Sequence, residues 1–324
     1  MNYLNQNHKK IVIYFFLLPE VHLLDFAGPA HIFYEAQQFG ANYLTKYISI
    51  NDNVNSALSL SIGNTERYET VNIKKDDILV IPGVSDRILQ SSEFLQNKIE
   101  IFKWLSTINN LGVKISGICT GTNILAEAGL LNHKECTTHW KLAEGLKSKF
   151  PSIKLIENVV YVVDDNIYTC SGATGGIDWA LQIIEEESGP ILASKITKEI
   201  ILFVRRKSNN NQESVYVQYR THFRKEIHIV QDWISNNLEV RVKLEDLAEL
   251  ANMSTRNFSR IFKNATGITP NQYITKLKSE RAKILLSNPE LSLSQIAVRC
   301  GYRSERQLRR ILNLNTRIPS DLIN

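Results

Sequence analysis

From Leu244 to the end of the chain one short pattern occurs twice, and a doubled pattern of this kind leaves few folds open. Leu244-Glu-Asp-Leu247-Ala248, followed by Asn252, Met253 and Ser254, is echoed by Leu293-Ser-Gln-Ile296-Ala297, followed by Gly301, Tyr302, Arg303 and Ser304. Each copy reads as helix, tight turn, helix. Ala248 and Ala297 leave room for two helices to cross closely, and Asn252 and Gly301 are residue types that tolerate left-handed backbone. Ser254 and Ser304 then stand where an N-cap belongs, each with an oxygen for the free amides of the next helix. Those next helices carry Thr255, Arg256, Asn257, Ser259 and Arg260 in one copy, and Glu305, Arg306, Gln307, Arg309 and Arg310 in the other. Their opposite faces are apolar: Phe258, Ile261 and Phe262, and Leu308, Ile311 and Leu312. A helix with one arginine-rich, hydrogen-bonding face suits the major groove of DNA. A plain helical bundle with a solvated basic face is the blander possibility. Two copies, each with a proline 26 residues after its first leucine (Pro270 and Pro319), argue against it.

Charge divides the chain in the same way. Residues 205–324 hold 21 Lys and Arg against 11 Asp and Glu, and the remainder 17 against 22, so a basic part follows an acidic one. That asymmetry is the footprint of a nucleic-acid module joined to a unit with other business, and phosphate contacts would make its binding salt-dependent. A chain of 324 residues accommodates two domains at about 100–200 residues each. The polar stretch Arg205 to Ser214 lacks apolar periodicity and reads as a joint. The expected division is a sensor-like domain over 1–204, a linker over 205–222 and a DNA-binding domain over 223–324. The run Ile11 to Leu18 is broken by Pro19-Glu20, far short of the roughly 20 residues of a spanning helix, and no small-residue cleavage site follows it. Cys119, Cys136, Cys170 and Cys300 have neither disulfide-framework nor metal-motif spacing. The expectation is a cytoplasmic protein with reduced thiols, no membrane contact, no metal and no cofactor.

Between residues 10 and 200, short β-branched runs alternate with helical patterns. The runs are Ile11 to Leu18, Tyr47 to Ile50, Ile78 to Ile81, Val113 to Ile118, Val159 to Val163 and Ile167 to Cys170. The helical stretches are Ala30 to Phe39, Glu93 to Asn109, Asn123 to Leu130 and Gly176 to Glu186. This order predicts an α/β domain on a mostly parallel sheet, with ligands outside the carboxyl ends of the strands. Gly117-Ile118-Cys119-Thr120-Gly121 closes one strand and opens a helix in the shape of a nucleophile elbow. A thiol at a helix N-terminus has its thiolate favoured, against the commoner fate of a buried structural cysteine. His22 and His31 read as solvent-facing or satisfied histidines. Cys136, Cys170 and Cys300 read as core residues, and Trp104, Trp140, Trp179 and Trp233 as packing anchors.

Two resemblances follow from these motifs. Residues 228–324 resemble the DNA-binding domain of AraC/XylS-type regulators, with Gly267-Ile-Thr-Pro270-Asn-Gln-Tyr273-Ile, Leu277, Arg281, Ala282 and Leu285-Leu286 similar to the helix that links that family's two motifs. The second copy departs at Asn315 to Pro319, where relatives place phenylalanine and glycine before the proline. Leu24-Asp25-Phe26-Ala27-Gly28-Pro29, Cys119-Thr120, Thr137-Thr138-His139-Trp140 and Ser171-Gly172-Ala173-Thr174-Gly175-Gly176-Ile177-Asp178 resemble the DJ-1/PfpI superfamily, which implies a flavodoxin-like sandwich. By that resemblance Cys119 is the elbow cysteine, Asp25 the acid beside it and Thr120 its neighbour. Gly83 offers an amide of the oxyanion-hole kind, and His139 lies near the pocket.

Together these imply a ligand-responsive transcription regulator of the activator kind. Asp25, Gly83, Cys119, Thr120 and His139 would face a small-molecule effector. Thr255, Arg256, Asn257, Ser259, Arg260, Glu305, Arg306, Arg309 and Arg310 would face operator DNA, with Glu305 accepting from a cytosine amine. The resemblance further implies a homodimer through the first domain, and RNA polymerase as a partner. The sensor reading makes the elbow non-catalytic; the alternatives are a cysteine-dependent hydratase or hydrolase, and a redox sensor at Cys119.

Overall fold

The computed structural model describes residues 10–202, 205–208, 210, 212, 214–286 and 291–312. Pro319 and the departure at 315–319 fall outside them. The chain divides into two compact units, Met1–Gln212 and Glu213–Asn324.

The first unit is built on seven strands: β1 (Ile11–Leu17), β2 (Tyr43–Ser49), β3 (Glu66–Arg67), β4 (Ile78–Ile81), β5 (Lys114–Ile118), β6 (Tyr161–Asp164) and β7 (Ile167–Cys170). Their order in the sheet is β6-β7-β5-β4-β1-β2-β3. All neighbours pair parallel except β6, which closes one edge antiparallel to β7. In β1, Phe15, Phe16 and Leu17 are all fully buried, so successive side chains are covered on both faces. That is why this strand reads as a continuous apolar run instead of an alternating one.

The helices are α1 (Leu23–Gln38), α2 (Ser92–Asn110), α3 (Gly121–Glu127), α4 (Ala143–Lys149), α5 (Ala173–Ser188) and α6 (Pro190–Glu199). Helix α1 begins seven residues before the expected Ala30 and contains Pro29. Proline removes one helical hydrogen bond, but close packing on α5 compensates. A Cβ on Gly28 would stand 3.0 Å from Ile177 Cγ1, and one on Gly176 2.9 Å from Pro29 Cγ, so the two helices approach at glycines. The early start puts Asp25 in the first turn of α1, where a carboxylate is favoured by the free amides.

The described residues 205–208, 210 and 212 fall in this unit, and Arg205, Arg206, Lys207 and Gln212 hydrogen-bond within it. Buried Asp178 accepts from Arg206 N–H and from its Nε, both at 2.8 Å. The stretch is polar because it meets polar groups of α5 and neighbouring loops.

The second unit holds α7 (Val215–Gln218), α8 (Lys225–Asn236), α9 (Leu244–Leu250), α10 (Thr255–Thr266), α11 (Pro270–Leu285), α12 (Leu293–Arg299) and α13 (Glu305–Ile311). Two apolar clusters form. One gathers Ile227, Val230, Ile234, Phe258, Phe262, Tyr273 and Leu277; the other gathers Ala282, Ile296, Ala297, Cys300 and Leu308. Helix α11 supplies Tyr273 and Leu277 to the first and Ala282 to the second, so it ties the two motifs together. Its start is fixed by a capping box between Thr269 and Gln272, with Pro270 in the first turn.

Both turns are left-handed as expected, Asn252 at φ 54° and Gly301 at φ 67°. They are not equivalent. A Cβ on Gly301 would lie 2.5 Å from the Leu238 carbonyl oxygen and 2.6 Å from the buried Lys278 ammonium. Asn252→Gly is therefore expected to leave stability within about 1 kcal/mol of the parent. Gly301→Ala adds left-handed strain to overpacking and is expected to cost about 2–4 kcal/mol. Urea melts of the two variants check this; equal midpoints would refute the crowding argument.

Candidate ligand pocket and nucleic-acid interface

The strand ends β4 and β5 and the start of α1 converge on a cavity of about 620 Å³. Cys119 sits at the turn from β5 into α3 with φ 57°, a left-handed conformation that a non-glycine residue adopts only where its surroundings enforce it. The enforcement is visible in the flanking glycines. A Cβ on Gly121 would overlap the Ile81 carbonyl, and one on Gly117 would lie 2.8 Å from Leu125 Cδ1. Opposite, a Cβ on Gly83 would collide with an Asp25 carboxylate oxygen and stand 3.1 Å from Cys119 Cβ. Gly172, at φ 132°, leaves Cys119 Sγ and the His139 ring space to approach. Thr120 bridges two loops: its hydroxyl donates to the Val84 carbonyl at 2.7 Å and accepts from Val84 N–H at 2.6 Å.

Of the residues expected at this site, Asp25, Cys119, Thr120 and His139 line the cavity, and Gly83 packs behind Asp25. His22, expected to be solvent-facing or satisfied, also lines it, with Nδ1 3.4 Å from an Asp25 oxygen. Ser85, Asp86, Arg87 and Lys141 complete its polar wall, with Arg87 paired to Glu20. His31 does not belong to this lining; it faces Glu35 at 3.4 Å and stacks on Tyr34. Trp140, expected as a packing anchor, is 51 % exposed and stacks on His139.

The electrostatics overturn one expectation. Burial, then the Asp25 carboxylate, push the Cys119 thiol up to about 12, while the Thr120 amide only partly opposes them. Desolvation outweighs the helix N-terminus. Asp25 in turn pulls the His22 imidazole upward by accepting its hydrogen bond.

His22 Nδ1, an Asp25 oxygen and Cys119 Sγ lie within 4.8 Å of one another, and their donor types are those zinc takes. Within this group Asp25 pushes both the His22 imidazole and the Cys119 thiol upward.

In the second unit the expected caps form: Ser254 accepts from Asn257 N–H and Ser304 from Gln307 N–H, both at 3.4 Å. Phe258, Phe262 and Leu308 are fully buried, which turns Arg256 and Arg260, and Arg306 and Arg310, outward. Five expected contact residues are engaged within their helices: Asn257, Ser259, Arg260, Glu305 and Arg309. Ser259 donates to the Thr255 carbonyl at 2.9 Å, and Arg260 donates to Asn257 Oδ1 at 2.8 Å. Glu305, expected to accept from a base, instead accepts two bonds from Arg309, at 2.8 and 2.7 Å. Arg256, Arg260, Arg306 and Arg310 are exposed cations of the two faces, Arg260 being held to Asn257.

Known proteins match both units. Residues 9–186 match the DJ-1/PfpI family and residues 247–318 a helix-turn-helix domain. The HTH-type transcriptional regulator CdhR of Pseudomonas aeruginosa is 25% identical over 90% of this chain and 84% of its own length. Further HTH-type regulators are matched over only 52% to 61% of their length. Isonitrile hydratase of Pseudomonas putida is 27% identical over 54% of this chain and 71% of its own. An AraC family transcriptional regulator from Pseudomonas putida shares the fold of the first unit, with TM-score 0.52 and 21% identity over 59% of this chain and 99% of that one. The chain belongs to the DJ-1/PfpI family and carries, behind that domain, the helix-turn-helix domain of AraC-type regulators.

Proposed function

We propose that this protein is a sequence-specific transcription regulator that reads DNA through α10 and α13 and answers to a small molecule held beside Cys119. The observation that carries this reading is the pair of capped helices, each anchored by a buried apolar face and each presenting outward arginines. Arginine is the side chain best shaped to meet guanine in the major groove, and its phosphate contacts supply salt-sensitive affinity. Arg256, Arg306 and Arg310 are the foremost candidates for these contacts. Thr255, Asn257, Ser259, Arg260 and Arg309 act beside them, and Glu305 aligns Arg309.

The sensor role of the first unit is supported by a ligand-sized cavity, apolar in most of its surface with a few converging polar groups, beside a thiol whose ionisation burial disfavours. A thiol pushed up to about 12 stays protonated at pH 7, whereas nucleophilic catalysis needs the thiolate. Asp25, Gly83, Cys119, Thr120 and His139 then serve to bind an effector. Homodimerisation through the first unit, contact with RNA polymerase, activation and a cytoplasmic setting complete the proposal, on the pattern of the AraC-type regulators. Among the described residues no helix is long and apolar enough to cross a membrane. A second reading, cysteine-dependent hydration, draws on the likeness to isonitrile hydratase and on the retained Cys119–Asp25 pair.

Two measurements separate these readings. In DNA-binding titrations at several salt concentrations, Arg256→Ala and Arg310→Ala are expected to lose about 1–3 kcal/mol each where they meet a base, with Cys119→Ala binding like the parent. Absence of any sequence preference in the parent would sink the regulator reading. Separately, the rate of Cys119 alkylation by iodoacetamide is expected to climb about tenfold per pH unit up to pH 10 without levelling, because the buried thiol titrates only above that range. A plateau below pH 8 would reveal an activated thiolate and favour the hydratase.

A further inference from the structure

A set of hydrogen bonds joins the pocket to the point where the chain leaves the first unit. Gln212, the last residue of that unit, turns its side-chain amide onto the loop that carries His139. Its Nε2 donates to the Thr138 carbonyl at 2.9 Å, and its Oε1 accepts from Trp140 N–H at 3.0 Å. The amide therefore clasps the backbone on either side of His139, a residue whose ring lines the cavity. Thr138, itself buried, donates from its hydroxyl to the Cys119 carbonyl at 3.1 Å. At its other end Gln212 is tied back into the unit. Its N–H donates to Asn158 Oδ1 at 3.1 Å, and its carbonyl accepts from the Arg206 guanidinium at 3.2 Å. Arg206 is in turn gripped by buried Asp178 and donates to Thr174 at 2.6 Å, next to the pocket-lining Ala173.

We propose that Gln212 is a positioning residue for His139, and that its clasp couples occupancy of the pocket to the Arg206–Gln212 pair at the point where the chain leaves the first unit. This deepens the regulator reading and depends on it. The chemistry of the side chain is specific. The primary amide donates from one atom and accepts at the other; glutamate keeps the acceptor for Trp140 but faces the Thr138 carbonyl with a second acceptor. Two neutral hydrogen bonds are also weak enough to be exchanged for ligand contacts. An occupant that moves the loop 138–140 releases Gln212, and an Arg206–Gln212 pair held in place by DNA binding acts back on the loop. Coupling of this kind is reciprocal, so it is readable from the pocket side without knowing the effector.

The test uses the full chain, with iodoacetamide as the pocket probe and a duplex selected by the protein from a random pool. Alkylation of Cys119 is followed by mass spectrometry with and without that duplex, the fully buried Cys136, Cys170 and Cys300 serving as internal controls. Gln212→Ala is expected to raise the Cys119 rate in the absence of DNA. In the parent, bound duplex is expected to shift the rate roughly fivefold or more, and in Gln212→Ala to leave it unchanged. If Gln212→Ala melts at lower temperature than the parent, Gln212→Glu replaces it, with the same expectations. A parent rate blind to specifically bound duplex overturns the coupling while leaving the regulator reading intact, and so does an unaltered DNA response in the variants. Failure of the selection to return any preferred sequence removes the regulator reading itself.

Discussion

The turn from β5 into α3 is the constraint on which the pocket depends. Cys119 takes a left-handed backbone there because Gly117 and Gly121 let the chain press against Leu125 and the Ile81 carbonyl. Gly83 and Gly172 extend the same crowding to Asp25, Sγ and the His139 ring. Any side chain at these positions would push the sulfur and the carboxylate apart. The crowding that presents the thiol also strips its water, so the thiol is pushed up and not down. One packing solution thus places the sulfur and removes its water, and the direction of that shift supports the binding role proposed for this wall.

The second unit is organised by α11 in a comparable way. Its Tyr273 and Leu277 belong to the core of the first motif and its Ala282 to that of the second, so the two reading helices are set by one rigid rod. Lys278, from the same helix, is nearly buried and donates to the Gly301 carbonyl at 3.2 Å, inside the turn that aims α13. Burial lowers this ammonium below the usual lysine range. It serves as a hydrogen-bond donor to backbone, while the exposed arginines carry the charge toward solvent.

What was legible in the sequence was local. Asn252, Gly301, Ser254 and Ser304 declare turns and caps through their own backbone preferences, and each takes the expected conformation. The glycines around Cys119 declare the elbow for the same reason. The polar wall of the pocket was not legible, because His22 comes from a loop and Arg87 and Lys141 from two separate single 3₁₀ turns, too short to show periodicity. The stretch around Arg206 was misleading for a related reason. A polar run without apolar spacing looks like solvated chain, yet Arg206 meets a buried carboxylate 28 residues away. The helix expected from Ala30 likewise starts earlier, at Leu23, because glycine-mediated packing against α5 outweighs the hydrogen bond lost at Pro29.

The two walls of the pocket differ in what they can transmit. Asp25, Cys119 and Thr120 are buried and fixed by sheet ends and glycine contacts. The facing wall, Ser85 to Arg87 and His139 to Leu142, is partly or fully exposed and held by loop hydrogen bonds. A ligand shifts an equilibrium only through contacts that differ between two arrangements, however tightly it binds. Contacts with the rigid wall are the same in every arrangement, so they set affinity alone. Contacts with the loop wall are the ones an effector can use to favour one arrangement over another. On the proposed sensor reading, an effector acts by spanning the cavity from the Asp25–Cys119 pair to the His139 loop.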